Sequence, residues 1–265
     1  MVSSTVEDYL KAFLKLEDMN EKASTSTVAR HLSVADASVT DMLRKLQKTG
    51  LLEYRPYYGA TLTAEGRRLA LRILRRHRLI ELFLHQVMGY GWEQVHDEAE
   101  KLEHVVSDLF VERIDAYLGH PNKDPHGEVI PDAKGFRGQE LDICLLRAEP
   151  GKYVVRKVIN DQPEFLAYLE KESLTPGVSF QLLEKAPFQG PLKLQLDGRK
   201  EPQYLGVEAA KNIYVLTAEL HSSEGPRSKG HGETISFPKG KSGATNGASL
   251  DRKRKQVRPS PRRSK

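Results

Sequence analysis

The sequence contains one cysteine, Cys144, and it lacks both an apolar N-terminal signal region and any apolar run long enough to cross a membrane. A single thiol excludes an intramolecular disulfide framework. A glycine-rich phosphate loop and a grouping of nucleophile and base are also missing. We therefore expect a soluble, cytoplasmic protein that is not an enzyme, binds no membrane and has no small-molecule substrate.

The excess of positive charge lies at one end of the chain. The formal charge is +5, but residues 221–265 hold twelve Lys or Arg against three acids, and with this +9 taken away the rest carries about −4. Because this end is rich in Gly, Ser and Pro and poor in large apolar residues, residues 218–265 are predicted to be a disordered basic tail. Its Arg252–Lys255 cluster either attracts phosphate nonspecifically or is a solvated terminus.

Residues 1–63 show the order of elements of a winged helix-turn-helix. Ser4 and Glu7 fit a capping box at the start of an amphipathic first helix. Two further helices, separated by a tight turn, and two strands that form a wing follow. These elements are predicted over 26–32, 36–50, 51–55 and 60–62.

In this arrangement the third helix would enter the major groove of double-stranded DNA. Small residues in its exposed N-terminal half let it approach base edges, and basic residues nearby reach phosphates. Asp41 fits only if its carboxylate accepts from a cytosine amino group or from a neighbouring Arg. The candidate DNA-binding residues are Ala37, Ser38, Thr40, Asp41, Arg44, Lys45, Lys48 and Arg55. The alternative for these helices is a protein-interaction module.

Residues 64–137 are predicted to form a helical domain. Thr63 caps a long helix, 64–87, with an arginine-rich first half and an apolar second half. Gly89–Gly91 ends this helix, and one further helix with an apolar stripe is predicted from 92 to 118. Because no further helix closes the apolar face of this pair, we expect it to be the surface of a homodimer.

The helix from 92 to 118 also stacks four possible metal ligands on one face. They are His96, Glu100, Glu103 and His104, at i, i+4, i+7 and i+8. His77 and Glu81 on the preceding helix, and Asp8 on the first, are further candidates. Oxygen and imidazole donors without sulfur favour Mn(II), or Fe(II), over Cu(I), and Zn(II), Co(II) or Ni(II) would also bind in vitro. A solvated face of Glu and His is the alternative.

Several short segments share a pattern that covers nearly the whole chain before the tail. They are VEDYL at 6–10, RHRLIE at 76–81, VHDEAE at 95–100, Glu103-His104, His120-Pro121 and DPHG at 124–127. On these segments the chain resembles the diphtheria toxin repressor and manganese transport regulator family of metal-dependent transcription factors. The resemblance implies a mainly α-helical protein with small β parts: a winged helix, a helical dimerisation domain and, as in the longer members, a C-terminal SH3-like β barrel.

Residues 138–217 are predicted to form this third domain. Strand-like segments lie at 154–159, 180–183, 192–196 and 213–216, with a short helix at 163–170 between them. They fit a small barrel. The likeness to the iron-transport accessory type of SH3-like domain is weaker than the upstream match.

The resemblance also implies two metal sites. The main site falls on Asp8, His77, Glu100, Glu103 and His104. Asp8 and Glu100 stand where the iron-responsive branch has methionine and cysteine, so the chain is similar to the manganese-responsive branch. Position 11 differs from the manganese branch. It is lysine here, whereas the two-helix manganese regulators have a glutamate that helps to hold a second ion. The second site falls on Glu81, Asp124, His126 and Asp161, or on a set that joins His96 and Glu164 to His77, Glu81 and Asp161.

The sequence therefore predicts a transcriptional regulator whose metal ion promotes the binding of a homodimer to operator DNA. The metal is expected to be Mn(II), with Fe(II) as the alternative, and the resemblance implies repression of metal-uptake genes, with activation of efflux genes as the alternative. The residues alone leave two alternatives open. One is a metal-independent winged-helix DNA-binding or scaffold protein with a degenerate metal site, and the other is a metallohydrolase that uses the Glu and His cluster to activate water.

Overall fold

The computed structural model describes residues 3–55, 58–136 and 141–219. The predicted disordered tail therefore lies, from residue 220 onward, outside the described residues. Within the described ranges, buried apolar side chains form three separate clusters. The longest helix there has 23 residues and is rich in charge, and no helix of these ranges is long and apolar enough to cross a lipid bilayer.

The first apolar cluster is enclosed by three helices and a hairpin. The elements are α1 (Ser4–Asp18), α2 (Thr25–Leu32), α3 (Asp36–Lys48), β1 (Leu52–Arg55) and β2 (Gly59–Leu62). The apolar faces of the helices bury Leu10, Phe13 and Leu43 completely, and each such side chain contributes about 1.5–3 kcal/mol of burial free energy. β1 and β2 pair antiparallel, with Leu52 opposite Leu62. This arrangement confirms the predicted winged helix-turn-helix.

The start of α1 differs from the prediction. The capping box of Ser4 and Glu7 is wrong, because Ser3 occupies the N-cap position and makes no side-chain cap. Glu7 instead pairs with His104 from another part of the chain. The turn between α2 and α3 is as tight as expected, since Ser33 adopts a left-handed conformation with φ 54°.

One long helix, α4 (Ala64–Gln86), passes from the first apolar cluster into the second. Thr63 caps it as predicted, because its Oγ1 accepts a hydrogen bond from the Gly66 N–H at 3.1 Å. Ile73 of α4 is buried in the first cluster and Leu79 in the second. Side chains on α4 are therefore held in place relative to both.

The prediction of one continuous helix from 92 to 118 is wrong. The structure has two helices here, α5 (Val95–Leu102) and α6 (Asp108–Tyr117). The second begins at a cap, because Ser107 Oγ accepts from the Phe110 N–H at 3.2 Å. The apolar spacing continues through the intervening turn, so periodicity alone hides the break, and the serine cap is the signal that marks it.

The third apolar cluster lies against an antiparallel sheet of six described strands. The elements are β3 (Ile143–Cys144), β4 (Gly151–Val158), α7 (Pro163–Lys171), β5 (Ser179–Lys185), β6 (Leu192–Leu196), β7 (Gln203–Leu205), α8 (Val207–Ala210) and β8 (Ile213–Thr217). The strand order is β3-β8-β4-β5-β6-β7. β6 shows why these residues form a strand, since Leu192, Leu194 and Leu196 alternate inward. β3 and β7 were not predicted, because two or three residues are too few to show a period.

The segment after α6 joins the helices to the sheet. Gly127 has φ 83°, and a Cβ there would lie 1.9 Å from the backbone oxygen of Arg156, so only glycine fits. Beside it, the Val158 N–H donates to the backbone oxygen of His126 at 2.9 Å. Trp92, from the loop before α5, is buried in the apolar cluster of the sheet. These contacts bring the sheet close to α4 and α5.

Candidate metal centres and nucleic-acid interface

Four of the predicted ligands come together between α1 and α5. Asp8, Glu100, Glu103 and His104 each offer one oxygen or nitrogen atom, and these atoms lie within 4.8 Å of one another. Asp8 is on α1, Glu100 is on α5, and the other two occupy the turn after α5. We name these four residues the main cluster. Three carboxylates and an imidazole are the donors that suit Mn(II) and Fe(II).

The His104 ring is held from outside the main cluster. Its Nδ1 lies 2.8 Å from Glu7 Oε2, and its Nε2 lies 3.0 Å from Asp8 Oδ1. A carboxylate that accepts from Nδ1–H leaves Nε2 facing the cluster, which is how proteins orient a metal-binding histidine. Burial raises the pKa of Asp8, and the attraction of His104 and Lys11 opposes this only in part.

Lys11 also lies against the main cluster. Its Nζ donates to Glu100 Oε1 at 2.6 Å and to Glu103 Oε1 at 2.7 Å. Burial acts to lower the pKa of Lys11, but the two carboxylates outweigh it and raise the pKa, so the side chain is an ammonium. In this structure Lys11 offsets part of the negative charge of the cluster.

His77, predicted as a main-site ligand, lies between the main cluster and Glu81. Its Nδ1 is 2.5 Å from Glu103 Oε2, and its Nε2 is 2.9 Å from Glu81 Oε1. Burial acts to lower the pKa of His77, but the carboxylates outweigh it and raise the pKa to about 10. It also offers an atom near His96 and Glu100, within 4.8 Å. With a proton on each nitrogen it is an imidazolium, and it must lose one proton before it can ligate a metal.

A second group of ligands is buried between α4 and the segment that leads to the sheet. Glu81, Asp124 and His126, which we name the second cluster, offer atoms within 4.8 Å of one another. His126 Nε2 donates to the backbone oxygen of Trp92 at 2.9 Å, so in the neutral imidazole the lone pair is on Nδ1. Asp124 Oδ2 is buried and accepts no hydrogen bond from the described residues, with Arg78 Nε 3.3 Å away. A lone pair and an unbonded carboxylate oxygen beside Glu81 fit a divalent cation.

The electrostatics of the second cluster also fit a cation. Burial raises the pKa of Asp124 to about 7, because Arg78 offsets only part of the lost hydration. Burial also acts to raise the pKa of Glu81, but His77 outweighs it and holds that pKa well below its usual range. A bound cation would therefore compete with a proton at Asp124 near neutral pH.

The remaining predicted ligands stand at the edge of the second cluster or away from it. Asp161, after β4, has its Oδ2 3.0 Å from Lys15 Nζ and 3.8 Å from His96 Nε2. His96 Nδ1 lies 3.2 Å from Glu81 Oε1. Glu164 is exposed in the first turn of α7 and belongs to none of the ligand groups found within the described ranges. Glu81 is thus in contact with members of both predicted sets.

The two clusters open onto one cleft of about 1170 Å³. Its walls come from α1, α2, α4, α5 and the end of β4, and they include Asp8, Lys11, His96 and Asp161. Asp8 and Glu100 of the main cluster and Glu81 and His126 of the second cluster line this cleft, so part of each cluster faces it.

The candidate DNA-binding residues lie on α3 and at the end of β1. Seven of the eight are exposed, and Thr40 is half-buried with its Oγ1 donating to the backbone oxygen of Asp36 at 3.0 Å. Asp41 Oδ1 lies 3.5 Å from Arg44 Nη1, so the two side chains form an ion pair on the surface of α3. Because both side chains are largely exposed, the pair contributes little to stability.

Sequence reasoning missed the residues that hold the ligands in place. Glu7 and His104 are 97 residues apart, and Trp92 and His126 are 34 apart. Such contacts follow from the packing of separate segments, and no local pattern carries them. Arg78 alone gives a signal in the sequence, because an arginine that falls on the buried face of a predicted helix requires acidic partners nearby.

Comparisons with known proteins agree with this geometry. Family models match for the N-terminal DNA-binding domain of iron-dependent repressors over residues 1–60, for their metal-binding and dimerisation domain over 63–132, and for the FeoA domain over 144–216. The iron-dependent repressor IdeR of Mycobacterium leprae is 33% identical over 186 residues, which cover 65% of this chain and 81% of that protein. The chain belongs to the iron-dependent repressor family.

Two further similar proteins extend the comparison within the iron-dependent repressor family. The HTH-type transcriptional regulator MntR of Oceanobacillus iheyensis is 35% identical over 114 residues, 43% of this chain and 77% of that protein. A solved manganese-dependent transcriptional repressor in complex with manganese has a TM-score of 0.75 and 35% identity, and covers 80% of this chain and 99% of that one. The predicted family and fold class are confirmed, and the chain is a metal-dependent, DNA-binding transcriptional repressor.

Proposed function

We propose that this repressor responds to Mn(II), binds operator DNA as a homodimer in the cytoplasm and represses metal-uptake genes. The main cluster carries the proposal, because it brings three carboxylates and an imidazole to within 4.8 Å without a sulfur donor. Such donors favour Mn(II), with Fe(II) as the alternative, and Zn(II), Co(II) or Ni(II) would bind in vitro. Cys144 lies on β3 and belongs to none of the ligand groups found within the described residues.

The main cluster links the winged helix to the helical domain. Asp8 lies on α1, which packs against α4, whereas Glu100 lies on α5. A bound divalent ion supplies positive charge that carboxylates from both segments share, which stabilises the docked position of α1. Docking of α1 fixes where α3 faces, so metal binding and DNA binding strengthen each other. A typical coupling of about 1–3 kcal/mol changes DNA affinity roughly 5- to 150-fold.

An apolar patch supports the homodimer. Val105, Leu109, Phe110 and Tyr117, on α6 and in the turn before it, are 46–77% exposed. The ring of Phe83 on α4 lies 6.5 Å from that of Phe110 and 6.4 Å from that of Tyr117. Large apolar side chains grouped in this way mark an interface. A twofold dimer would present its α3 helices to DNA half-sites about 34–36 Å apart.

For contact with DNA we assign α3 and the wing. Ala37 and Ser38 are exposed and small enough for close approach to base edges. Lys45, Lys48 and Arg55 are exposed and carry the charge for phosphate contacts. Positive charge in this surface, rather than in the tail, would then set the operator affinity.

We assign a second ion to the second cluster, with Asp161 as an outlying ligand. Asp161 pairs with Lys15 in this structure, and both side chains are more than one-third exposed. Exposed pairs of this kind contribute only about 0–1 kcal/mol, so Asp161 exchanges easily. Of the two predicted sets we therefore favour Glu81, Asp124, His126 and Asp161 over the set that needs the exposed Glu164.

We assign no enzymatic activity, membrane partner or small-molecule substrate to this chain. The relatives are named as repressors and regulators, which supports this assignment. The rival with an observation in its favour is a metal-independent DNA-binding protein, because Lys11 and His77 already supply two internal cations.

The experiment that tests the function is a DNA-binding titration of the full chain. Sites are first selected from a random duplex library with Mn(II) present, and affinity is then measured by fluorescence anisotropy at one salt concentration. Mn(II), Fe(II) under anaerobic conditions, Zn(II) and a chelator are compared. We expect tight binding with Mn(II) that the chelator abolishes. Equal affinity with and without the chelator would favour the metal-independent rival.

A further inference from the structure

Lys11 reaches two carboxylates of the main cluster from α1. It lies one helical turn after Asp8 on α1, so both side chains face α5. Its Nζ bridges Glu100 Oε1 and Glu103 Oε1 at 2.6 and 2.7 Å. The Lys11 side chain is only 15% exposed and that of Glu103 is fully buried. The ammonium is therefore enclosed between two ligands of the cluster.

The Lys11 ammonium lies between two carboxylates, in the position that a bridging metal ion would occupy. The three carboxylates of the main cluster carry a charge of about −3 when ionised, and Lys11 removes one unit of it. An ammonium cannot ligate a metal and repels a nearby divalent ion. Glu100 and Glu103 must therefore divide their oxygens between Lys11 and any ion that enters.

We propose that Lys11 is a resident cation of the main cluster, that it competes with the divalent ion for Glu100 and Glu103, and that it limits this cluster to one ion. The proposal rests on the proposed function, because it requires the main cluster to bind metal. It assigns Lys11 the role of a residue that sets the metal concentration at which the repressor responds. It also means that in metal-free protein Lys11 holds α1 against α5.

Three variants of the full-length chain separate charge from shape. Lys11→Met keeps the apolar stem without the charge, Lys11→Gln keeps a hydrogen-bond donor without the charge, and Lys11→Glu offers an oxygen ligand. Lys101→Met is the matched control, since Lys101 is an exposed lysine of α5 whose partner is Glu98. Folding of each variant is checked by circular dichroism.

Isothermal titration with Mn(II) after chelator treatment measures affinity, and elemental analysis after dialysis counts the ions. We expect Lys11→Met and Lys11→Gln to bind the ion of the main cluster at least about tenfold more tightly, because these variants remove the repulsion between the Lys11 ammonium and the divalent ion. We expect Lys11→Glu to hold one ion more per subunit than the wild type. Without metal, all three variants should unfold at a lower temperature than the wild type and the Lys101→Met control.

Other outcomes overturn the proposal in distinct ways. If Lys11→Met binds Mn(II) with unchanged or weaker affinity, Lys11 does not compete with the ion. If Lys11→Glu holds no additional ion, Lys11 does not set the number of ions. If the wild type binds no Mn(II) but Lys11→Met does, the competition stands and the proposed metal response of the wild type fails. If no form binds any ion, the proposed function and this inference fail together.

Discussion

Glu7 Oε2 lies 2.8 Å from His104 Nδ1, and this contact joins α1 to the turn after α5. The other oxygen of Glu7 is 3.8 Å from Arg76 Nη1 on α4, which helps to hold the carboxylate. Docking of α1 thus delivers a ligand, Asp8, and at the same time orients another ligand, His104. The main cluster is assembled by a residue that is not itself part of it.

Replacement of Glu7 by glutamine tests this orienting role. Without the carboxylate, the proton of His104 is no longer fixed on Nδ1, so Nε2 faces the metal position for only part of the time. We expect Glu7→Gln to lower Mn(II) affinity about 10- to 100-fold, the usual effect of losing a partner of a metal-bound histidine. Titration calorimetry measures it, with Glu98→Gln on α5 as the control. Unchanged affinity in Glu7→Gln would show that the ring is oriented by other contacts.

Replacement of Asp8 by alanine tests the link between metal and DNA. Asp8 is the only described α1 residue in the main cluster, and its side chain is 38% exposed, so alanine leaves no core cavity. We expect Asp8→Ala to keep its fold and its basal DNA contacts but to lose Mn(II)-stimulated DNA binding. Anisotropy with and without Mn(II) measures this, and Asp97→Ala, an exposed acid on α5, serves as the control. Stimulation as strong as that of the wild type would refute the assignment of Asp8.

His77 makes the stability of the metal-free protein depend on pH. Its pKa is raised in the folded state from 6.5 to about 10, so its stabilising contribution is complete below about pH 6.5 and is lost as the pH rises through about 10. In His77→Gln the buried Glu81 loses its cation and Glu103 keeps only Lys11, which costs roughly 3–5 kcal/mol. We expect this deficit in unfolding free energy at pH 6 and a much smaller one at pH 10.

Urea denaturation in the presence of a chelator measures this difference at each pH. His85→Gln is the control, because His85 is an exposed histidine of the same helix whose Nδ1 contacts a backbone oxygen. A deficit that stays constant from pH 6 to pH 10 would mean that His77 is neutral in the folded protein.

The sequence predicts those helices and strands whose formation depends on residues close together in the chain. Apolar spacing and the Thr63 cap placed the winged helix and the start of α4, because a helix buries one face whatever its partner is. The break at Ser107 was missed, since the apolar spacing continued across it. The six strands were found where they were long enough to alternate, as β6 is, and missed in β3 and β7.

The candidate sites were predicted less completely, for a different reason. Residue type and helical spacing selected candidate ligands, and four of the candidates lie together in the main cluster. Whether His77 offers a lone pair depends on Glu81 and Glu103, which hold both of its nitrogens. Whether Asp161 reaches the second cluster depends on how the sheet packs against α1. Protonation and packing between distant segments are not encoded in any local pattern.

The apolar patch on α6 gives the last prediction, which concerns assembly. Phe110 is 46% exposed, so aspartate at this position reaches solvent in the monomer but would be buried against its own copy in a twofold dimer. We expect Phe110→Asp to sediment as a monomer and to lose most of its operator affinity, since one winged helix makes only half of the contacts. Mn(II) uptake per subunit should stay unchanged. Phe188→Asp is the control, because Phe188 is fully exposed between β5 and β6. If Phe110→Asp still sediments as a dimer while Phe188→Asp does not, the twofold interface lies on the sheet domain instead.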